Sequence, residues 1–445
     1  MNTPEKQAAA GDVSRRTWLK DSLATAAAGS VLAGLDMTRF AHAAGNELIR
    51  IGFVGCGNRG SGACKEALST KGPVKLVAMG DLFPENLERS LKNLSKYTEL
   101  PIDVPPERRY SGFDAYQKVI DSGVDLVLLC TPPHFRPIHY AAAVKAGKHV
   151  FMEKPFCVDA PGYRMLVAAN EEAKQKKLSV VAGLQRRHQK NYLEGIDKIR
   201  SGAVGDVIYI RTYYNALGGR EGAPKPAEMS EMAYQIRHWN LFCWLCGDHI
   251  VEQACHEIDV ANWVMDGPPE KANGMGGRQV RVGPNTGDIF DHHCVEFEYK
   301  GGVRNFCQAR QQPGTWEHVS DNIHGTKGSM TIGTGAWGWG ANVDSRAVRA
   351  KAEMNSYQQE HNDLLASILG AGPHRLEGQY AATSAMTAVM GRMATYSGQM
   401  VTWAEAVASE LALAPARYAF DADPPSKPDT AGLYPVAIPG AAKAF

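Results

Sequence analysis

Leu48-Ile-Arg-Ile-Gly-Phe-Val54 runs straight into Gly55-Cys56-Gly57-Asn58-Arg59-Gly60, and a helical stretch follows to Leu68. A short β-rich run, a glycine turn and a helix in that order predict the first βα unit of a nucleotide-binding sheet. The units downstream agree. Val74 to Met79 is a second apolar run closed by Gly80-Asp81, and helical patterns occupy 84–97 and 113–122. Val124-Asp-Leu-Val-Leu-Leu129 precedes a helix at about 135–147, His149-Val-Phe-Met152 follows it, and a further unit spans about 159–184. Strands spaced by helices predict an α/β fold with a doubly wound parallel sheet, assigned here to residues 44–185.

The three glycines have separate tasks. Gly55 permits the tight turn, Gly57 lets the backbone approach a pyrophosphate, and Gly60 lets the helix pack close to the strand. The helix N-terminus offers unpaired N–H groups and partial positive charge to phosphates. Asp81 ends the next strand 21 positions after Gly60. There it is expected to accept hydrogen bonds from the adenosine ribose and to repel a 2′-phosphate, favouring NAD over NADP. Asn58 and Arg59 complete the candidate cofactor loop, Arg59 being open to two readings, a phosphate contact or a solvated charge.

After about residue 190 the rhythm changes. Strand-like alternation at Val207 to Tyr214, Cys294 to Tyr299, Val303 to Ala309 and Met330 to Ile332, with turns such as Lys300-Gly301-Gly302, predicts antiparallel pairing. Helices return at about 357–370, 381–397 and 402–411. Residues 186–420 therefore read as a second, α+β domain with a largely antiparallel open sheet, and 421–445, rich in proline, as an irregular tail.

Charge excludes one class of partner. Lys and Arg number 48 against 47 Asp and Glu, for a formal charge of +1, which gives no electrostatic basis for nucleic-acid binding. The N-terminus reads as an address: Ser14-Arg15-Arg16-Thr17-Trp18-Leu19-Lys20, a mildly apolar run from Leu23 to Leu35, then Ala41-His42-Ala43. It resembles a twin-arginine export signal, with Trp18 where Phe is usual. Residues 1–43 are therefore set aside from the fold. The expected partner is the twin-arginine machinery and the expected compartment the periplasm, with an uncleaved signal as an alternative anchor. That route carries proteins already folded, so all nine cysteines are expected to remain free.

Three further motifs stand in order: Thr131-Pro132-Pro133 with His134 at one strand end, Glu153-Lys154-Pro155 at the next, and a helix carrying Glu252, His256 and Asp259. With the glycine fingerprint they resemble the glucose-fructose oxidoreductase/inositol dehydrogenase (Gfo/Idh/MocA) family. The resemblance implies an NAD site extended by Thr131, Pro132, His134, Glu153 and Lys154, and a homo-oligomer assembled through the C-terminal sheet. It places Lys154 beside the nicotinamide and the reacting hydroxyl, where an ammonium steadies alkoxide charge.

Glu252 and His256 are spaced i,i+4, one face of a helix, with Asp259 continuing the stripe. Removing a hydride from a carbinol needs a base for the hydroxyl proton, and His256 is the candidate. The family pattern has Asp where Glu252 stands, and the longer carboxylate alters the reach expected for holding a sugar hydroxyl or orienting the imidazole. Arg187, in Gln185-Arg186-Arg187-His188, is a candidate substrate contact. So are His238, Trp239 and Asn240, since an indole face suits sugar C–H groups and polar side chains suit hydroxyls; a Trp cluster serving as core is the competing reading. Cys243-x-x-Cys246 lacks the companion ligands of a zinc motif, so no metal is expected.

Together these features imply an exported oxidoreductase that moves hydride between tightly held NAD and a carbohydrate, polyol or glycoside carbinol. A redox-neutral relative that cleaves glycosides through transient oxidation is the enzymatic alternative. A non-catalytic carbohydrate-binding relative is the third.

Overall fold

The computed structural model describes residues 48–216, 221–334, 339–343, 346–348 and 355–444; the export signal read in residues 1–43 lies outside them. The chain from β1 (Ile49–Val54) to β6 (Val180–Ala182) forms a six-stranded sheet. Between these lie β2 (Val74–Asp81), β3 (Arg109–Ser111), β4 (Leu126–Leu129) and β5 (His149–Met152), in the order β3-β2-β1-β4-β5-β6, every pair parallel. That order reverses direction between β1 and β4, so the loops after the two strands open a crevice at their carboxyl ends. Both faces are covered. Helix α1 (Asn58–Leu68) packs Ala63, Cys64 and Ala67 against Ile51, Phe53 and Leu128 on one side. Helix α2 (Pro84–Leu94) adds Leu87 and Leu94 to that same side, while on the other α3 (Ala115–Asp121), α4 (Arg136–Lys145) and α5 (Ala160–Gln175) bring Val119, Tyr140, Val144, Leu166 and Ala169 to Val127, Val150 and Val180.

Past α6 (Lys190–Arg200) the second sheet begins with β7 (Val207–Asn215). Three short helices follow, α7 (Glu231–Arg237), α8 (Cys243–Cys246) and α9 (His249–Glu252), then α10 (Cys255–Met265). The remaining strands are β8 (Lys271–Gly277), β9 (His292–Glu298), β10 (Arg304–Arg310), β11 (His318–Gly325), β12 (Gly328–Thr334), β13 (Trp339–Val343) and β14 (Arg346–Val348), with β15 (Val401–Thr402) at the far edge. Pairing is antiparallel except where β7 lies parallel to β10, so the expectation of hairpin pairing holds for all but one junction. That junction exists because β7 is separated from its neighbours by α7 to α10, and a crossover of that length lets a strand enter in either direction.

One face of this sheet is buried. Ile210, Val295, Phe297, Cys307 and Ala309 pack on Ile250, Ile258, Met386, Val389 and Met390. The last three lie on α12 (Gly378–Ser397), which follows α11 (Ser356–Ile368). These two helices also reach back to the first sheet, through Leu364 and Leu365 on one face and Ala381, Ala382 and Ala385 on the other. Sequence order thus does not keep the two sheets separate: residues 356–397 belong to both cores. Helix α13 (Trp403–Ala408) precedes the tail. All nine cysteines carry free thiols.

Candidate active site

Gly55 adopts φ +95°, and a Cβ there would meet the Cys130 and Thr131 backbone at 2.5 Å. At Gly60 a Cβ would stand 2.0 Å from the Gly55 carbonyl oxygen. Gly57 differs from both. Nothing lies within 4 Å of its Cβ position, and α1 begins there with no side-chain cap and no acid in its first turn. The first N–H groups of α1 therefore face open space beside a bare backbone, which fits a phosphate-bearing ligand.

Asp81 ends β2 as expected and is 7% exposed. Its Oδ2 accepts the Cys56 N–H at 2.6 Å, and its Oδ1 accepts the Phe83 N–H and the Asn86 side chain, both at 2.9 Å. It thus holds the glycine loop against the end of β2. Arg59 does not extend to the phosphate position. Its guanidinium donates to Glu153 at 2.6 Å and to Glu66 at 3.0 Å, and it lies over the Tyr357 ring. Of its two readings neither holds in full, because the carboxylates of three neighbouring elements claim it. Glu153 is correspondingly occupied, accepting from Arg59 and, at 3.2 Å, from the Lys154 N–H.

Arg136 is the positioning residue that sequence reasoning missed. Almost wholly buried, its guanidinium donates to three carbonyls, Leu129, Thr131 and Glu153. It therefore ties the ends of β4 and β5 together and sets Thr131-Pro132 beside Glu153-Lys154. Burial pushes it down to about 10. Lying in Phe135-Arg136-Pro137 it reads as the start of a helix, and no local pattern marks an arginine destined for a carbonyl cluster.

Lys154 precedes a cis peptide bond to Pro155. Its Nζ donates to the Glu252 carbonyl at 2.6 Å and to Glu252 Oε1 at 3.0 Å. The unbroken helix expected to carry Glu252, His256 and Asp259 is not what forms. Helix α9 ends at Glu252 and α10 starts at Cys255; the His256 N–H turns to the Gln253 carbonyl at 3.4 Å and leaves the Glu252 carbonyl unused by the ladder. That freed carbonyl is the second anchor of Lys154. Lysine has three donors, so one remains for an incoming oxygen. Burial pulls the ammonium down, but Glu252, with Cys255 and Tyr214, outweighs it and holds Lys154 above the usual lysine range.

His256 is 7% exposed, and its Nδ1 has no hydrogen-bond partner. Burial first, then the charges of Lys154 and Arg186, depress its pKa well below the usual histidine value, so the imidazole is neutral at working pH. Glu252 pairs with Lys154, not with His256.

Two expected substrate contacts are corrected. Arg187 and Asp259 meet each other in a bidentate pair at 2.8 and 2.9 Å, with Ser384 donating to Asp259 at 2.7 Å. Arg187 also lies over the Trp263 and Tyr380 rings. Asp259 is 1% exposed, so the pair joins α10 to α12 and presents neither charge to a sugar. Burial favours such pairing because an unpaired charge there is costly. His238 and Trp239 pack in an aromatic group with Tyr234, Phe83, Phe135 and Trp244, the His238 Nδ1 standing 3.0 Å from the Tyr234 carbonyl, while Asn240 is exposed. Among the described residues none of the three bonds to Lys154, Glu252 or His256, and the core reading of the Trp cluster fits Trp239. His134 is also buried. Its Nε2 lies 2.8 Å from the Tyr418 hydroxyl, and burial pushes it down to about 4.

Two family models match the chain: the oxidoreductase family, NAD-binding Rossmann fold, over residues 49–182, and the GFO/IDH/MocA C-terminal domain over 194–331. The chain belongs to the GFO/IDH/MocA oxidoreductase family. Family relatives include the scyllo-inositol 2-dehydrogenase (NAD(+)) of Bacillus subtilis, 24% identical over 291 residues, 64% of this chain and 74% of the relative. The inositol 2-dehydrogenase of Salmonella typhimurium is 24% identical over 355 residues, 76% of this chain and 92% of the relative. Among solved structures, the aldose-aldose oxidoreductase of Caulobacter crescentus with glycerol aligns at TM-score 0.63 and 19% identity, covering 80% of this chain and 100% of that one. A levoglucosan dehydrogenase with NADH and L-sorbose aligns at 0.64 and 16%, covering 80% and 99%. This GFO/IDH/MocA chain is thus an NAD-dependent oxidoreductase. The open cradle at Gly57 and the uncapped start of α1 are where the dinucleotide fits.

The junction between the sheets carries a pH-sensitive tie. His188 Nδ1 lies 2.7 Å from Asp363 and Nε2 3.4 Å from Glu377, with Arg375 beside both acids. Burial works against its charge, but the hydrogen bond to Asp363 and the nearby carboxylates of Glu377 and Glu360 win, raising His188 to about 10. A raised folded value stabilises fully below the unfolded value of about 6.5 and is lost as pH climbs through about 10. His188→Gln is therefore expected to cost about 3–5 kcal/mol at pH 6 and distinctly less at pH 10, measured as denaturant unfolding at both.

Proposed function

We propose that this oxidoreductase interconverts a carbinol and a carbonyl on a carbohydrate, polyol or glycoside, with NAD retained between turnovers. The observation that carries this reading is the Lys154 ammonium, fixed by two bonds to Glu252 beside a buried neutral His256 and reached from the strand ends that Arg136 ties together. NAD, when bound, supplies the acceptor or donor of hydride. The chain's own groups manage the proton and the charge. The remaining Lys154 donor meets the reacting oxygen and favours its alkoxide form; the neutral imidazole of His256 takes the hydroxyl proton during oxidation and returns it during reduction. Glu252 keeps Lys154 charged and aimed. Sugar and inositol relatives support the substrate class, and the ring polyols named among them are the first compounds to try.

Retention follows from the export reading of residues 1–43, since a protein exported folded carries its cofactor with it. The segment after α13 supports it. Tyr418 bonds His134 in the loop after β4, and Phe420 packs on Phe83 after β2 and Phe113 after β3, ring centroids 5.9 and 5.2 Å apart. These loops crown the strand ends where the adenosine half belongs. The outer face of the second sheet exposes Met275 and Phe306, a surface suited to a second copy.

The test presents purified protein with inositols, aldoses and a chromogenic glycoside, following absorbance at 340 nm and free aglycone. Reduction of bound cofactor by a polyol or aldose is expected. Aglycone release without any acceptor, and with no polyol or aldose oxidised, would instead mark glycoside cleavage.

A further inference from the structure

Among the buried polar clusters outside the hydride site, one lies at the start of α9 and the start of β9. We propose that Asp248, His249 and His293 form a binding site for one divalent transition-metal ion, zinc being the ion that suits two imidazoles and a carboxylate. All three residues are buried, with 0, 3 and 3% exposure. The Nε2 atoms of both histidines lack any hydrogen bond, yet both face one oxygen: Asp248 Oδ1 lies 3.2 Å from His293 Nε2 and 3.9 Å from His249 Nε2. The three ligand atoms fall within 4.8 Å of one another. Zinc bonds of about 2.0–2.2 Å place tetrahedral ligand atoms roughly 3.3–3.5 Å apart, so modest side-chain rotation closes the set.

The groups behind these atoms are arranged as supports. His293 Nδ1 is 2.9 Å from the Thr395 hydroxyl, and Asp248 Oδ2 accepts from the Tyr396 hydroxyl at 2.5 Å and the Phe290 N–H at 2.8 Å. Asp248 Oδ1 also accepts the His249 N–H and keeps its second lone pair for the two Nε2 atoms, the pattern by which metal ligands are oriented from outside. Arg281 and Arg392 lie within electrostatic reach of Asp248 and oppose a cation, but Asp291 stands beside Arg281 and Asp159 beside Arg392, leaving Asp248 as the excess charge. The site is not the Cys243-x-x-Cys246 pair: the Cys246 thiol accepts the Asp248 N–H at 3.2 Å and sits behind the carboxylate.

The test uses tag-free full-length protein incubated with Zn²⁺, desalted, and analysed for metal content and by zinc-edge X-ray absorption. About one zinc per chain with nitrogen and oxygen ligands including two imidazoles is expected, together with loss of at least about ten-fold in retained zinc in the His249→Asn/His293→Asn variant. Equal zinc in wild type and variant, none in either, or sulfur in the zinc shell overturns the proposal. Should the double variant fail to fold, the wild-type metal content and absorption spectrum decide it alone.

Discussion

Lys154→Met is expected to lower kcat by about 10²- to 10⁴-fold while leaving the amount of bound cofactor unchanged. In the proposed mechanism the side chain meets the reacting oxygen through one donor only, because the other two are committed to the carbonyl and carboxylate of Glu252. Removing it takes away the charge that favours an alkoxide, and no neighbour substitutes: His256 is neutral and Arg186 is locked to Glu257 and Asp321. Methionine keeps the apolar stem and its packing. Glu252→Gln tests the same geometry from the other side. It leaves the backbone anchor in place and removes the carboxylate that outweighs burial, so a smaller loss is expected, with a fall in the pH above which activity declines. Steady-state kcat, read against nicotinamide released on denaturation, separates lost chemistry from lost cofactor.

Gly57→Val is expected to abolish cofactor retention, weakening NAD binding by at least about 100-fold, or about 2.7 kcal/mol, without measurable loss of fold stability. Gly57 has φ −73° and ψ −173°, extended backbone that valine adopts freely, and its Cβ position meets nothing. The added methyls would occupy only the space meant for the pyrophosphate. Gly60→Ala inverts the pattern. Its Cβ would lie 2.0 Å from the Gly55 carbonyl oxygen and 3.0 Å from both the Cys130 Cβ and the Phe53 ring, and α1 must move to admit it. A cost of about 2–4 kcal/mol is expected even without cofactor. Melting curves and bound-nicotinamide measurements on both variants check the contrast; equal behaviour would mean the two glycines share one role.

The parallel sheet was legible because a buried parallel strand is a nearly continuous apolar run, as Val124 to Leu129 shows, and because glycine at φ > 0 announces the turn after β1. Edge strand β3, Arg109-Tyr110-Ser111, escaped: three polar or amphipathic residues bear no periodicity, and the neighbouring strand alone draws them into the sheet. At the candidate site, the motifs at 131–134 and 153–155 follow β4 and β5 as read, and Lys154 meets Glu252, since residue type and strand-end position are local facts. What they bond was not. Pairing of Arg187 with Asp259, of Arg59 with Glu153, and of Arg136 with three carbonyls joins residues far apart in the chain, and each is a competition between partners that only the packed structure decides. The break after Glu252 belongs to the same class. Nothing in His249-Ile-Val-Glu-Gln-Ala-Cys255 forbids a continuous helix; the Lys154 ammonium takes the carbonyl that such a helix would have used.

The central claim is that hydride passes between a substrate carbon and NAD held over the Gly57 cradle, with Lys154 and His256 managing the proton. The most direct measurement mixes the NAD-loaded protein with a polyol or aldose substrate, found in the 340 nm screen, deuterated at its carbinol carbons, quenches within one turnover, and weighs the released cofactor. NADH heavier by one deuteron in wild type, and unlabelled NAD⁺ in Lys154→Met, is the predicted result. Product carbonyl formed while the wild-type cofactor stays oxidised and unlabelled would contradict it.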